Sequence, residues 1–218
     1  MYLSRLIALA AASVAASAHA AGAAPALASL FQDHAVLQQG KPVPVWGSAA
    51  PGEHVSVSFA GQVVGATAGP DGRWIAVLAS LAPNSTGCDL AVAGKGSTAI
   101  HDVLVGEVWL CSGGSGMERE LDDRTGARRA ESAAAEVAAA RHPLIRHFKV
   151  AHQASAAAAE RVGGDWRVCS PEAAGQFSAV GYFFARDLLD RVGVPIGVID
   201  CAWSGSPLEA WMSPAALA

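Results

Sequence analysis

The sequence predicts an α/β protein in two parts: a small β-sandwich over residues 25–102, then an α/β portion over residues 103–218. Three observations carry this expectation. Short β-like runs with Gly/Pro punctuation recur about every 8–12 residues in the first part. One apolar strand, Val105–Leu110, runs into a glycine-rich turn. The best helix, Ser178–Val192, leads directly into a second apolar strand, Val194–Cys201, an order that gives a parallel sheet with right-handed crossovers.

Residues 1–20 stand apart from both parts. Arg5 precedes an apolar stretch that ends in Ala18-His19-Ala20, a small-x-small pattern. The apolar core is nearer a dozen residues than the roughly 20 that a membrane span needs. The expectation is a secretory signal peptide cleaved after Ala20, hence a secreted or periplasmic protein with no stable membrane association after cleavage. Removing it takes away Arg5 alone, which leaves 14 basic and 19 acidic residues and a net charge of −5. With no basic run, nucleic acid is not expected as a partner.

In the sandwich region the β-like runs are Ala35–Gln38, Val43–Trp46, His54–Phe59, Val63–Ala68, Trp74–Leu78, Asp89–Val92 and Thr98–Val103. In His54–Phe59 the apolar Val55, Val57 and Phe59 alternate with polar neighbours, which gives one buried face. Nothing here carries catalytic chemistry; Trp46 and Trp74 are expected in the core rather than against a sugar.

Val103–Met117 (VLVGEVWLCSGGSGM) is the stretch with chemical potential. Glycines around Ser115 let the chain turn sharply and leave the hydroxyl exposed; the alternative is a Gly/Ser turn with no chemistry. A charged segment, Glu118–Arg129, is followed by an alanine-rich helix, Ala130–Ala140, stopped by Pro143. Leu144–Val150 reads as a strand, Ala151–Asp165 as a loop and Val168–Gln176 as a connector. In the helix Ser178–Val192, residues Val180, Phe183, Phe184, Leu188 and Val192 share one stripe, expected to be buried, and Gly193 suits the C-terminus. After the second strand, Ser206-Pro207-Leu208-Glu209 reads as a helix start with Ser206 as N-cap and Glu209 closing a capping box. Gly205 precedes it, where backbone N–H groups can receive a developing oxyanion; the alternative is an ordinary strand-to-helix turn. Ligands of open α/β sheets collect at the carboxyl ends of the strands, where Ser115 and Gly205 both fall. The four cysteines contain no CxxC, so zinc is not expected. Cys111 and Cys201, each near a strand end, form the disulfide pair to examine first.

Four ordered blocks resemble the sialate O-acetylesterase family, secreted carbohydrate acetylesterases of the SGNH-hydrolase type. They are LFQDHAVLQQGKPVPVWGSAAPGEHVSVSFAGQ (30–62), DVLVGEVWLCSGGSGM (102–117), WRVCSPEAAGQFSAVGYFFARDL (166–188) and GVPIGVIDCAWSGSPLEAW (193–211). The resemblance implies a flavodoxin-like three-layer α/β/α hydrolase domain after the sandwich. It implies Ser115 as nucleophile on the acetyl carbonyl of an O-acetylated carbohydrate, through an acyl-enzyme, with no cofactor and no metal. The N–H groups of Ser115 and Gly205 would line the oxyanion hole.

Two departures bear on activity. Gly114 and Gly116 stand where the family has Gln and Asn beside the serine, whereas Trp203-Ser204-Gly205-Ser206-Pro207 differs mildly from the usual Trp-Gly-Gly-Thr-Pro. The family's Asp-x-x-His block, which supplies the general base and its orienting carboxylate, has no counterpart in these 218 residues. His101-Asp102 is expected at the wrong end of the sheet, and His142, His147 and His152 flank a strand without matching that block. Relative to the family the stretch is thus expected to be C-terminally truncated, with 103–218 an incomplete hydrolase domain. One reading is a sialate O-acetylesterase-like esterase impaired by truncation, or completed by a separate chain carrying the missing half. The other is a catalytically inactive fragment, at most a glycan-binding β-domain.

Overall fold

The computed structural model describes residues 24–123, 132–155, 159 and 161–217; the expected signal, residues 1–20, lies outside them. Eleven strands are described. A short sheet joins β1 (Ala26–Leu27), β3 (Val43–Ser48) and β6 (Arg73–Leu78), in the order β1-β3-β6. It faces a meander of β5 (Gln62–Thr67), β4 (His54–Phe59), β7 (Asn84–Ala93) and β8 (Ser97–Gly113). Between the sheets lies an apolar core that includes Val45, Val57, Leu78, Leu90, Val92 and Val103. Alternation does the sorting: in β4 and β6 every second residue is buried, as a two-residue period requires of a one-sided sheet. Trp74 is buried, and Trp46, half-exposed, packs edge-on against Phe31.

The division expected between 102 and 103 falls inside a continuous strand. β8 runs for 17 residues and belongs to both parts. Its first half pairs antiparallel with β7, and Leu104–Gly106 pair in parallel with β2 (Val36–Gln38). From Glu107 onward it pairs in parallel with β11 (Ile196–Ala202). β11 in turn pairs in parallel with β9 (His142–Lys149), and β10 (Trp166–Cys169) closes that edge antiparallel to β9. Residues read as a connector therefore supply a strand; Trp166 and Cys169, both buried, anchor it. Gly106 marks the handover. A Cβ there would lie 1.9 Å from the Pro195 carbonyl oxygen, so only glycine lets β8 pass the start of β11.

Helix α1 (Ser115–Glu118) follows β8, α2 (Ala133–Ala139) precedes β9, and α3 (Ala179–Val192) crosses to β11. The Ser178 hydroxyl caps α3 by accepting the Gly181 N–H, and Gly193, left-handed at φ 65°, ends it. The stripe expected to be buried is largely exposed: Val180, Phe183, Phe184 and Val192 reach solvent among the described residues, and Phe184 meets Trp109 edge-on. The helix instead packs through Gly181, Tyr182 and Ala185. A Cβ on Gly181 would stand 3.3 Å from Val198, so the small residues bring the helix close to the sheet. Hydrophobic spacing located the helix but not its inner face, which is Gly181, Tyr182 and Ala185.

A polar cluster ties β9 to the sandwich. Arg146, buried on β9, donates to Asp102 Oδ2 at 2.6 Å, and His34 Nδ1 lies 2.7 Å from the same oxygen. Asp102 and His34 hold left-handed backbones, φ 54° and 68°, uncommon without glycine. Burial works to raise the Asp102 carboxyl, but hydrogen bonds from Arg146 and His34 outweigh it and hold the group below its usual range. A depressed carboxylate stabilises the fold above its unfolded pKa and ceases to do so as pH falls through the folded one. Asp102→Asn keeps a residue that tolerates this backbone and removes the charge opposite Arg146. Because Asp102 is over a third exposed, we expect a loss of about 1–3 kcal/mol at pH 7, below the full cost of a buried pair. Urea melts at pH 7 and pH 3 check this: the gap between parent and variant should narrow at the acid end.

Candidate active site

The parallel register places two turns side by side. Ala202, the last residue of β11, is opposite Gly113, the last of β8, and the Trp203 N–H donates to the Gly113 carbonyl at 2.9 Å. Gly113, at φ 151°, and Gly205, at φ 75°, take the sharp turns. The chain then enters α1 with Ser115 exposed at its first position. The N–H of Met117 and that of Glu118 both reach the Gly114 carbonyl, which leaves the Ser115 amide without an intrahelical acceptor, as in any first turn. Ser115 and Gly205 thus stand at the same carboxyl end of neighbouring strands. Around Gly114, Gly116 and Gly205 the space a Cβ would occupy is empty.

The expected capping box after Gly205 does not form. Ser206 Oγ donates instead to the Trp203 carbonyl at 2.7 Å and accepts the Trp211 indole N–H at 2.8 Å. With its hydroxyl committed there, the segment Leu208–Trp211 winds as a single 3-10 turn with no side-chain cap. A groove of about 540 Å³ runs from this turn, walled by His152, Trp203, Gly205, Ser206 and Trp211 among others.

Glu118, read only as the start of a charged segment, and His152, read as flanking a strand without matching the Asp-x-x-His block, join the turns. Glu118, at the end of α1, accepts the Ser204 N–H at 2.5 Å through one carboxylate oxygen. Its other oxygen lies 3.1 Å from His152 Nε2, which is also 3.0 Å from the Ala202 carbonyl. A carbonyl can only accept, so that nitrogen carries the hydrogen. The imidazole lies flat on Trp203, with centroids 4.5 Å apart and planes 4° apart. The signal for His152 was its place just past a strand parallel to the other two, which brings it to their carboxyl end. His101, by contrast, sits in the sandwich against Asp89.

Beneath the turns, His147 and Asp200 are both buried, their Nε2 and Oδ2 atoms 3.7 Å apart. His147 stacks on Phe177 at 4.4 Å and its Nε2 accepts the Ser178 N–H. Burial, helped by the charges of Lys149 and Arg167, lowers its pKa to about 3, so it is neutral. Burial raises the Asp200 carboxyl, with the hydrogen bond from the Ala202 N–H opposing. Asp200 Oδ2 has no hydrogen-bond partner. The cysteines are free. Cys111 is registered with Asp200 and Ser112 with Cys201, so alternation sends Cys111 and Cys201 to opposite faces of the sheet, against the pairing considered. No group of three metal-ligating side chains occurs among the described residues.

A serine-bearing turn beside a glycine turn, at the carboxyl end of a parallel sheet, fits an SGNH-like α/β domain. No family model matches the chain. It is 32% identical to the sialate O-acetylesterase of Rattus norvegicus over 87% of its own length, and 31% identical to that of Homo sapiens over 78%. The crystal structure of a carbohydrate acetylesterase from Xanthomonas citri superposes with a TM-score of 0.82, at 40% identity over 88% of this chain. The chain belongs to the sialate O-acetylesterase family. It spans 38% and 35% of the length of those two relatives and 44% of the Xanthomonas chain.

Since a raised carboxyl destabilises the fold above its unfolded pKa, Asp200→Asn should be at least as stable as the parent at pH 7. The advantage should shrink as pH falls through the raised folded pKa toward about 4, below which the parent carboxyl is protonated in both states. Thermal melts at pH 7 and 3.5 test the sign; a clear loss at pH 7 would refute it.

Proposed function

We propose that this chain carries the nucleophile half of a serine carbohydrate O-acetylesterase site. Ser115 attacks the acetyl carbonyl of an O-acetylated sugar, the alkoxide leaves, and water hydrolyses the acetyl-Ser115 ester. The N–H groups of Ser115 and Gly205 receive the oxyanion. The observation that carries this reading is the Trp203-to-Gly113 hydrogen bond, which sets the Gly205 turn against the Ser115 turn. Support comes also from the relatives named sialate O-acetylesterase and carbohydrate acetylesterase. The aromatic groove past Gly205 suits a sugar face. Export through residues 1–20 is part of the same proposal. No helix among the described residues is long and apolar enough to cross a membrane.

The general base is the element these residues do not supply. Without it, acylation and deacylation both slow, by on the order of 10⁴–10⁶-fold where a triad member is removed. A segment bearing Asp-x-x-His, joined to this chain or carried by a separate one, would complete the site. The solvent-facing Trp109 on β8 and Phe184 on α3, in edge-on contact, offer it an apolar surface.

The test is acylation rather than turnover. Incubation with p-nitrophenyl acetate should build a slow acetyl adduct on the Ser115 peptide, read by mass spectrometry, because hydrolysis of the ester also lacks its base. Ser115→Ala should abolish that adduct. Absence of acetyl on Ser115 in the parent protein, under conditions that acetylate surface lysines, would overturn the reading and leave the inactive glycan-binding fragment in its place.

A further inference from the structure

We propose that Glu118 is a positioning residue that clasps the Gly205 turn to the Ser115 helix and so fixes the separation of the two oxyanion donors. This rests on the assignment of Ser115 and Gly205 above.

Two glycines flank Ser115, and neither brings a side chain with which to fasten the turn; around both, the space a Cβ would fill is empty. Glycine also broadens the backbone conformations open to the loop. Something else must hold α1 in register with the segment after β11. The backbone supplies one tie, Trp203 N–H to the Gly113 carbonyl, before either functional turn begins. Glu118 supplies the second, beyond Ser115, by accepting the N–H of Ser204, the residue just before Gly205. The functional segment Gly113–Glu118 is therefore fastened to β11 and its turn at both ends. A carboxylate acceptor makes the second tie charge-assisted, the stronger kind of backbone contact. His152 stands beside the clasp: its Nε2–H donates to the Ala202 carbonyl, the same nitrogen lies 3.1 Å from Glu118 Oε1, and its ring is held flat against Trp203. The carboxylate thus has the β9 side as a neighbour while it holds the β11 side by the Ser204 N–H. Glu118 itself is 23% exposed, while Ser204 faces solvent.

The test compares Glu118→Ala with Glu118→Gln in the full chain, since glutamine keeps an oxygen that can accept the Ser204 N–H. Amide hydrogen exchange resolved by residue should show Ser204 exchanging at least about tenfold faster in E118A, from loss of a bond to a charged acceptor. E118Q should recover most of that protection. The rate of acetyl transfer to Ser115 at saturating p-nitrophenyl acetate should fall about tenfold or more in E118A, with the half-saturating concentration little changed, and E118Q should restore it. A residue that served stability alone would not separate rate from saturation in this way. Unchanged Ser204 exchange in E118A overturns the clasp, as does failure of E118Q to recover it; unchanged acetyl transfer despite faster exchange overturns its positioning role. Should the parent itself take no acetyl on Ser115, the proposed function fails, and the exchange measurement still decides the clasp.

Discussion

Everything in this molecule depends on one strand serving two sheets. β8 leaves the sandwich at Gly106 and, without interruption, becomes the strand that delivers Ser115. A continuous ladder of backbone hydrogen bonds cannot hinge at its middle without losing bonds on both sides. The sandwich is therefore a mount for the Ser115 turn. Its core of alternating valines and leucines orders the first half of the strand that the second half uses. Gln38 reinforces the passage by accepting the Val108 N–H just past the handover.

The cluster of Arg146, Asp102 and His34 is the side-chain counterpart of that shared strand. A guanidinium buried on β9 would be costly without an anion beside it. Asp102, held in a left-handed conformation on β8, provides one. The paired charges fix how β9 lies against the sandwich, and β9 is the strand that carries the chain toward His152. Register at one end of the sheet thus governs geometry at the other.

At the site the balance of interactions is unusual for its glycine content. The flanks of Ser115 offer no side-chain support, while neighbours one turn of helix or one strand away do. Glu118, His152 and Trp203 form a small network: the carboxylate accepts the Ser204 N–H and lies beside the His152 imidazole, which stacks on Trp203. Below it, burial keeps His147 neutral and pushes the Asp200 carboxyl above its ordinary value, against the hydrogen bond from the Ala202 N–H.

The sequence alone determined the class of fold and the two turns, because each is a local signal. Period-two alternation in His54–Phe59 specifies a one-sided strand, and apolar strands ending in glycine specify turns at a sheet edge. The blocks around Ser115 and Gly205 made the family resemblance legible for the same reason. The tertiary structure decided what depends on contacts between distant segments. It made β8 continuous, because pairing with β7, β2 and β11 in succession cannot be read from any one of them. It turned α3 onto Gly181, Tyr182 and Ala185 rather than the stripe of Val180, Phe183, Phe184 and Val192, with Gly181 allowing close approach to Val198. It took the Ser206 hydroxyl for Trp203 and Trp211 and so removed a cap that local rules favoured. And it brought Glu118 and His152 together across 34 residues of chain, because three parallel strands end on one side and whatever follows each of them must meet there.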